Sequence, residues 1–393
     1  MKISSARKKK IKKLLAMMKK QNDRFFIIAP PLVEMMDLAI TDAELDFLLR
    51  MAFSHYDAEA GKSAAGMSDA SFKAFFEPIK QKGLVHIEFD AKGNETYRLN
   101  AIAVGWYEAQ VHYLMGRPEE KLFSEKFQEY IDFFARFNFT PLRDMENFAL
   151  RRIVKPSQGV GIMDPATKGK SKKKVIPINT EVASPDAAVY PTHYINSIIE
   201  AAGDKGGICV FPCVCRHANN LLGSPCTYDL PVESCIAFGD MANAWATYGY
   251  GRKIDTQAAI EILKTVREKG AVHQVIHEKD NPDLPVMAIC NCCWDCCGIL
   301  KSYNMGAIPL KYKAYYVARI KDDAKCKGCG TCEKYCPTTA IRVVDKRSVL
   351  NPDQCIGCGQ CAFQCVKNNI ELVPKERIVY LPVLKKSELR IST

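Results

Sequence analysis

Two cysteine runs of one spacing constrain this chain more than any other feature. Cys326, Cys329, Cys332 and Cys336 form a C-x2-C-x2-C-x3-C run closed by Pro337, and 29 residues later Cys355, Cys358, Cys361 and Cys365 repeat it. The repeat extends past the thiols, since Ile341 maps onto Ile370. The 393 residues hold 18 cysteines, none before position 209. The N-terminus shows a basic run without an apolar segment or a small-residue cleavage site, so no secretory leader is expected and a cytoplasmic location is. Thiols in a reducing compartment are metal ligands more often than a disulfide framework.

Four thiols within eleven residues are denser than zinc sites usually are, which leaves paired zinc knuckles as the weaker alternative. Glycines at 328, 330, 357 and 359 let backbone N–H groups approach sulfur and favour the more negative state. The module resembles the bacterial two-cluster ferredoxin, whose spacing it shares. That resemblance implies two [4Fe-4S] clusters with exchanged fourth ligands. One would use Cys326, Cys329, Cys332 and Cys365, and the other Cys355, Cys358, Cys361 and Cys336. Val366 stands where the family usually has proline and removes no ligand.

A second group of thiols lies upstream. Cys213 and Cys215 precede Arg216 and His217, and Cys226 and Cys235 follow. Cys290, Cys292, Cys293, Cys296 and Cys297 then crowd into eight residues. The PC-x-CR and CNCC-x2-CC motifs, with the ferredoxin repeat behind them, resemble a loosely defined group of anaerobe iron–sulfur proteins over residues 175–370. From the residues alone, nine such thiols bind metal on purpose or oxidise. A further iron–sulfur cluster, structural zinc and free thiols all stay open. If extended, Cys213 and Cys215 would share a face. The adjacent pairs Cys292-Cys293 and Cys296-Cys297 suit a tight loop, with bridging thiolates or two separate sites. Arg216 and His217 are cofactor-side candidates, either tuning a cluster or forming an ordinary surface pair, and His217 could itself be a ligand. Cys209 reads as a buried apolar thiol. His193, His273 and His277 show no partner pattern.

The rest of the chain carries less chemistry. Residues 1–20 hold nine Lys/Arg and no acid, and residues 168–174 hold five lysines. Set against the net +11, these leave −3 for everything else. Global basicity thus gives no argument for nucleic acid. Ile11, Leu14, Leu15 and Met18 stand at helical spacing inside the basic arm, which reads either as a solvated helix or as a segment for an acidic partner or membrane surface. Thr41 with Glu44 forms a capping box before Leu45, Leu48 and Leu49. Phe72, Phe75, Phe76 and Ile79 mark a second helix. Val85, Ile87 and Phe89, then Tyr97 and Leu99 beyond a Gly93-Asn94 turn, mark two strands. Helix, helix and two-stranded wing are similar to a winged helix, but no arginine lies between Ser68 and Gly83 to read guanine. Downstream, Asp255 can cap a helix with Ala259, Ile262, Leu263 and Val266 on one face and Gly270 as its stop, followed by a strand over 271–275.

No Walker loop, nucleophile elbow or complete dinucleotide fingerprint occurs, so flavin or nicotinamide is not indicated. The expected class is α/β (α+β) and multi-domain. Its parts are a basic arm (1–24), a winged-helix-like unit with helical extension (25–154), a linker (155–186), a Cys-rich α/β domain (187–320), a ferredoxin domain (321–373) and a tail (374–393). The expected role is electron transfer through two ferredoxin clusters and at least one more in the middle domain, as a subunit of a redox complex with protein partners. The alternatives are a reductase whose middle cluster binds substrate and a redox-sensing DNA-binding regulator.

Overall fold

A computed structural model describes residues 3–21, 27–51, 54–89, 94–136, 189–190, 195–196, 198–200, 207–277, 286–305 and 316–374. The proposed linker with its lysine run, the Gly93 turn, His193 and the tail beyond 374 lie outside the described residues. The chain divides into two units. One comprises Met1–Phe133, His217–Ser224 and Thr247–Tyr250; the other comprises Phe134–Arg216, Pro225–Ala246 and Gly251–Thr393.

The first unit is helical with a small hairpin. Its α1 (Ser5–Lys19) is capped by the Ser4 hydroxyl, which accepts from the Arg7 N–H. The apolar stripe of α1 is not free: Ile11, Leu14, Leu15 and Met18 are fully buried, and α1 packs on α2 (Pro30–Ala39) and α3 (Asp42–Met51). The stripe is part of the first unit's core, which corrects the expectation of a solvated arm. Burying four large side chains stabilises by about 1.5–3 kcal/mol each, which a loose arm would forgo. Arg7 meets Asp37 and Asp42, and Lys10 meets Asp46 at 2.6 Å, so part of the basic run is neutralised within the unit.

The capping box forms as the sequence predicts. The Thr41 N–H donates to Glu44 Oε2 at 2.8 Å, and the Glu44 N–H donates to Thr41 Oγ1 at 3.3 Å. A helix the periodicity does not announce, α4 (Ala58–Ala65), precedes α5 (Asp69–Gln81). The hairpin is β1 (Val85–Phe89) against β2 (Glu95–Leu99), with Ile87 opposite Tyr97. Phe47, Phe72, Phe76 and Tyr97 make an aromatic core with ring centroids 4.8–6.1 Å apart. A π-helical turn (Ile102–Trp106) leads into α6 (Tyr107–Leu114), and α7 (Glu120–Ala135) follows. The order of capped helix, aromatic helix and hairpin agrees with the sequence pattern.

The second unit is built on a six-stranded antiparallel sheet. Its strands are β3 (Val189–Tyr190), β4 (Ile208–Pro212), β5 (Glu233–Phe238), β6 (Arg252–Ile254), β7 (Val272–His277) and β8 (Val286–Cys292), in the order β3-β7-β8-β5-β4-β6. Two helices accompany them, α9 (Gly239–Thr247) and α10 (Thr256–Glu268), and α8 (Val214–Leu221) follows β4, with its residues from His217 onward belonging to the first unit. The Asp255 carboxylate caps α10 by accepting from the Ala258 N–H at 2.7 Å. Ala259, Leu263 and Val266 of α10 are buried, with Ile208, Ile236 and Ile289 of the sheet in the same core as the first two. Gly270, at φ 111°, ends the helix and turns the chain into β7.

The C-terminal part adds α11 (Gly298–Asn304), β9 (Tyr316–Ile320), α12 (Thr331–Lys334), β10 (Ile341–Val344), β11 (Arg347–Leu350), α13 (Gln360–Gln364) and β12 (Ile370–Pro374). Strands β9 and β12 pair antiparallel with Ile320 opposite Ile370, and β10 pairs β11. Mixed helices and small sheets make the chain α+β.

Candidate metal centres

The two C-terminal runs fold as near copies. Each short helix, α12 and α13, begins after a left-handed glycine: Gly330 at φ 79° and Gly359 at φ 81°. Backbone N–H groups donate to the thiols at corresponding places. The Ala340 N–H reaches Cys336 Sγ at 3.2 Å and the Asn369 N–H reaches Cys365 Sγ at 3.3 Å. The Ser348 N–H reaches Cys326 Sγ at 3.3 Å and the Ala318 N–H reaches Cys355 Sγ at 3.5 Å. Such donors favour the charged thiolate, the form that binds metal. A small cavity is walled by Cys336 together with Cys355, Cys358 and Cys361, with Ile341 and Leu372 beside them. Three thiols of the second run and the last thiol of the first thus face one space. Cys332, Cys336, Cys355, Cys361 and Cys365 also share one apolar core.

The environments of the two runs differ. Cys326 and Cys329 are held below the ordinary thiol range, chiefly by the Ser348 and Thr331 hydroxyls respectively. Burial pushes Cys332, Cys358 and Cys361 above it.

The middle thiols separate into two groups. Cys213 follows β4, Cys235 lies in β5, and Cys290 and Cys292 alternate along β8 on one face. Hydrogen bonds link Cys213 to Cys235, Cys235 to Cys290, and Cys290 to Cys292. Three of these four thiols are buried and Cys290 is half-buried; the Cys235 thiol is pulled down by its donors Cys213 and Cys290, while those two are pushed up. The Gln274 amide donates to Cys292 Sγ at 2.8 Å and to Cys297 Sγ at 3.5 Å. The second group is Cys226, Cys293 and Cys296, joined by Asp295. Adjacent cysteines therefore part company: Cys292 ends a strand, Cys293–Cys296 form a turn, and Cys297 stands at the start of α11.

Cys213 and Cys215 do not share an extended face. Helix α8 starts at Val214, so Cys215 sits in its first turn, half-buried. Arg216 is completely buried. One terminal nitrogen donates to the Pro231 carbonyl at 2.5 Å and to Ser234 Oγ at 2.8 Å. The other donates to the Asn291 carbonyl at 2.8 Å and lies 4.0 Å from Cys293 Sγ. His217 Nε2 pairs with Glu120 within the first unit, an arrangement in keeping with the surface-pair alternative. Helical periodicity explains the divergence, since successive residues point about 100° apart. Cys209 is a fully buried strand thiol that burial pushes up to about 11, as expected of an apolar position. His273 is buried, pushed down to about 4 by desolvation, and its Nδ1 lies 2.6 Å from Asn291 Oδ1.

Asp295 and Gln274 are the site residues that motif reading missed. A carboxylate inside a C-x2-C turn was visible in the sequence, whereas the Gln274 contact depends on the β7–β8 register, which sets Gln274 opposite Cys290.

Residues 318–366 match the family model of the 4Fe-4S dicluster domain. No curated protein and no solved structure matches the chain. The chain is an iron–sulfur protein with a C-terminal ferredoxin-like domain, and its chemistry is that of electron transfer.

Proposed function

We propose that the chain carries single electrons between protein partners, as a subunit of a redox complex. In this reading two clusters occupy the ferredoxin-like domain with exchanged fourth ligands, and a third occupies the quartet Cys213, Cys235, Cys290 and Cys292. One observation carries it. Cys358 of the second run, with its neighbour Ile356, packs into the same apolar cluster as Cys290, Cys292 and Cys297. The ferredoxin-like thiols and the middle thiols are thus neighbours within one unit.

The donor sets fit iron–sulfur clusters: thiolates in tight loops, backbone N–H groups aimed at sulfur, and apolar walls. When bound, [4Fe-4S] clusters supply one-electron chemistry over a wide range of potential. The protein's residues set the conditions. The cysteines fix position, the N–H donors of Ala340, Ser348, Asn369 and Ala318 offset charge on sulfur, and Ile356 with Leu300 keeps water from the space between the thiol groups. Buried Arg216 brings a positive charge to the middle thiols, which raises a potential there.

The tail and linker cations, the remaining arm cations and a cytoplasmic setting suit an acidic partner reached by salt-dependent steering. Among the described residues no helix is long and apolar enough to cross a membrane. The test is a potentiometric titration of the anaerobically purified full chain followed by EPR. Three one-electron centres are expected, with spin coupling between the second-run cluster and the quartet cluster. Two uncoupled signals alone would remove the third centre and the relay.

A further inference from the structure

We propose that Cys226, Cys293, Cys296 and Asp295 form a separate site for a single tetrahedral divalent ion, zinc by its donor set. The site stands whether or not the chain relays electrons.

Four ligand atoms, three sulfurs and one carboxylate oxygen, lie within 4.8 Å of one another, and Cys226 Sγ is 3.5 Å from Cys293 Sγ. The donor set points to the kind of metal. Three thiols and one carboxylate make four donors of the types that tetrahedral zinc takes, at Zn–S of about 2.3 Å and Zn–O of about 2.0–2.2 Å. The mixed sulfur and oxygen set suits one ion. It also differs from the quartet, whose members lie on three different strands or their ends.

The scaffold is that of two facing turns. Cys293 and Cys296 come from the turn between β8 and α11, closed by the Cys297 N–H donating to the Cys293 carbonyl at 3.3 Å. Cys226 comes from a second turn, in which the Asp229 N–H donates to the Cys226 carbonyl at 3.0 Å. Asp295 fastens the turns together. One oxygen accepts from the Thr227 N–H at 2.6 Å and the other from the Cys296 N–H at 3.0 Å. Each oxygen keeps a lone pair for metal, and the backbone donors orient the carboxylate as outer partners orient ligands in known sites. Leu230, Val266 and Ala271 wall the site with apolar surface.

Arg216, although it also lies near the quartet thiols, adds a second observation. It is fully buried, among the described residues no carboxylate pairs with it, and its Nε meets no partner. A buried cation needs nearby negative charge. Three thiolates and a carboxylate around a divalent ion carry a net negative charge, and Cys293 is the sulfur that Arg216 approaches. In the structure Cys293 and Cys296 are joined as a disulfide. Two electrons from a thiol reductant, which is itself oxidised to its disulfide, together with two protons convert that bond to two thiols. Binding the ion then releases those protons and the proton of Cys226.

The test uses the full chain, purified without oxygen in the presence of a thiol reductant and supplied with zinc alone. One equivalent of zinc per chain, without accompanying sulfide, is expected. Asp295→Ala and Cys226→Ser should each lose that equivalent, or weaken it at least about tenfold, while iron, sulfide and the visible cluster absorbance stay at wild-type level. Retained absorbance also shows that the variants fold. Loss of iron and sulfide in Cys226→Ser would assign these thiols to a cluster and overturn the proposal. A wild-type chain that takes up no zinc under these conditions, with Cys293 and Cys296 still bonded to each other, would overturn it as well.

Discussion

Cys336 and Gly328 show how a single position governs a site in the ferredoxin-like domain. Cys336 belongs by sequence to the first run, yet it faces the cavity of Cys355, Cys358 and Cys361. Cys336→Ser should therefore deplete the second-run cluster and spare the first, read by EPR of the reduced protein. Damage confined to the first-run signal would reverse the ligand exchange. Gly328 lies at φ 66°, and a Cβ there would stand 2.6 Å from the Lys346 backbone. Backbone cannot yield as a side-chain end can, and the left-handed conformation adds its own cost. Gly328→Ala should destabilise the first-run loop by about 1–3 kcal/mol, seen as cluster loss at lower temperature. Gly330→Ala has the same φ problem without the collision, since nothing lies within 4 Å, and should cost less.

Among elements, the capped helix α3 carries the sharpest energetic test. Glu44 serves the capping box and also accepts both hydrogen bonds of Lys82 at 2.9 Å, with both residues buried. Lys82→Met should leave Glu44 buried without its partner and destabilise the first unit by about 3–5 kcal/mol. The double variant with Glu44→Gln should recover part of that loss in denaturant titrations. The two ferredoxin-like runs make a second test, through pH. Cys326 and Cys329 are held below the ordinary thiol range, whereas Cys358 and Cys361 are held above it. Iron binding must displace a proton from any thiol still protonated, so a raised value moves loading to higher pH and a lowered value to lower pH. The first run sets two lowered thiols against one raised, Cys332, whereas the second has two raised and none lowered, so on reconstitution of the stripped protein the first-run site should begin to fill at lower pH than the second. Filling of both together across the pH range would show that the apo environments do not control loading.

These elements also mark what the sequence made legible. Local signals held: the Thr41–Glu44 box, the Asp255 cap, the alternation of β1 and β2, and the spacing of the runs, because each is decided within a few residues. Signals that depend on partners far along the chain did not. The stripe of α1 could not reveal that α2 and α3 cover it. The CNCC-x2-CC motif could not say which thiol joins Cys226 and which joins Cys235, because that choice is made by the register of β5 and β8, where Ile236 sits opposite Ile289. Arg216 and His217, adjacent in sequence, went to different surroundings for want of any tertiary clue.

At the scale of the whole molecule, the thiols are confined to one of the two units. The first unit's three segments contain no cysteine, and its core is aliphatic and aromatic. In the second unit the middle sheet and the ferredoxin-like domain hold each other at several points. The Gln360 amide donates to the Ala271 carbonyl at 2.5 Å, the Asn304 amide to the Pro337 carbonyl at 2.8 Å, and the Tyr228 hydroxyl to the Lys334 carbonyl at 2.6 Å. The Arg267 guanidinium stacks 4.0 Å from the Phe363 ring centre. Metal binding is folding energy where thiols fill a core, so stripping metal should unfold territory and not merely empty it. Hydrogen exchange on the full chain, before and after anaerobic removal of metal with a chelator and reductant, should show lost protection in β8, the turn 293–296, α12 and α13. Protection should also fall at the start of β7, because Ala271 and Val272 are held from the ferredoxin-like side through Gln360 and Ile356. Helices α1 and α3 should exchange as before, since nothing in their packing uses a thiol. Equal loss of protection in both units would mean that the first depends on metal through the second. Unchanged exchange in β7 would mean that the contacts made by Gln360 and Ile356 do not couple the sheet to the ferredoxin-like domain.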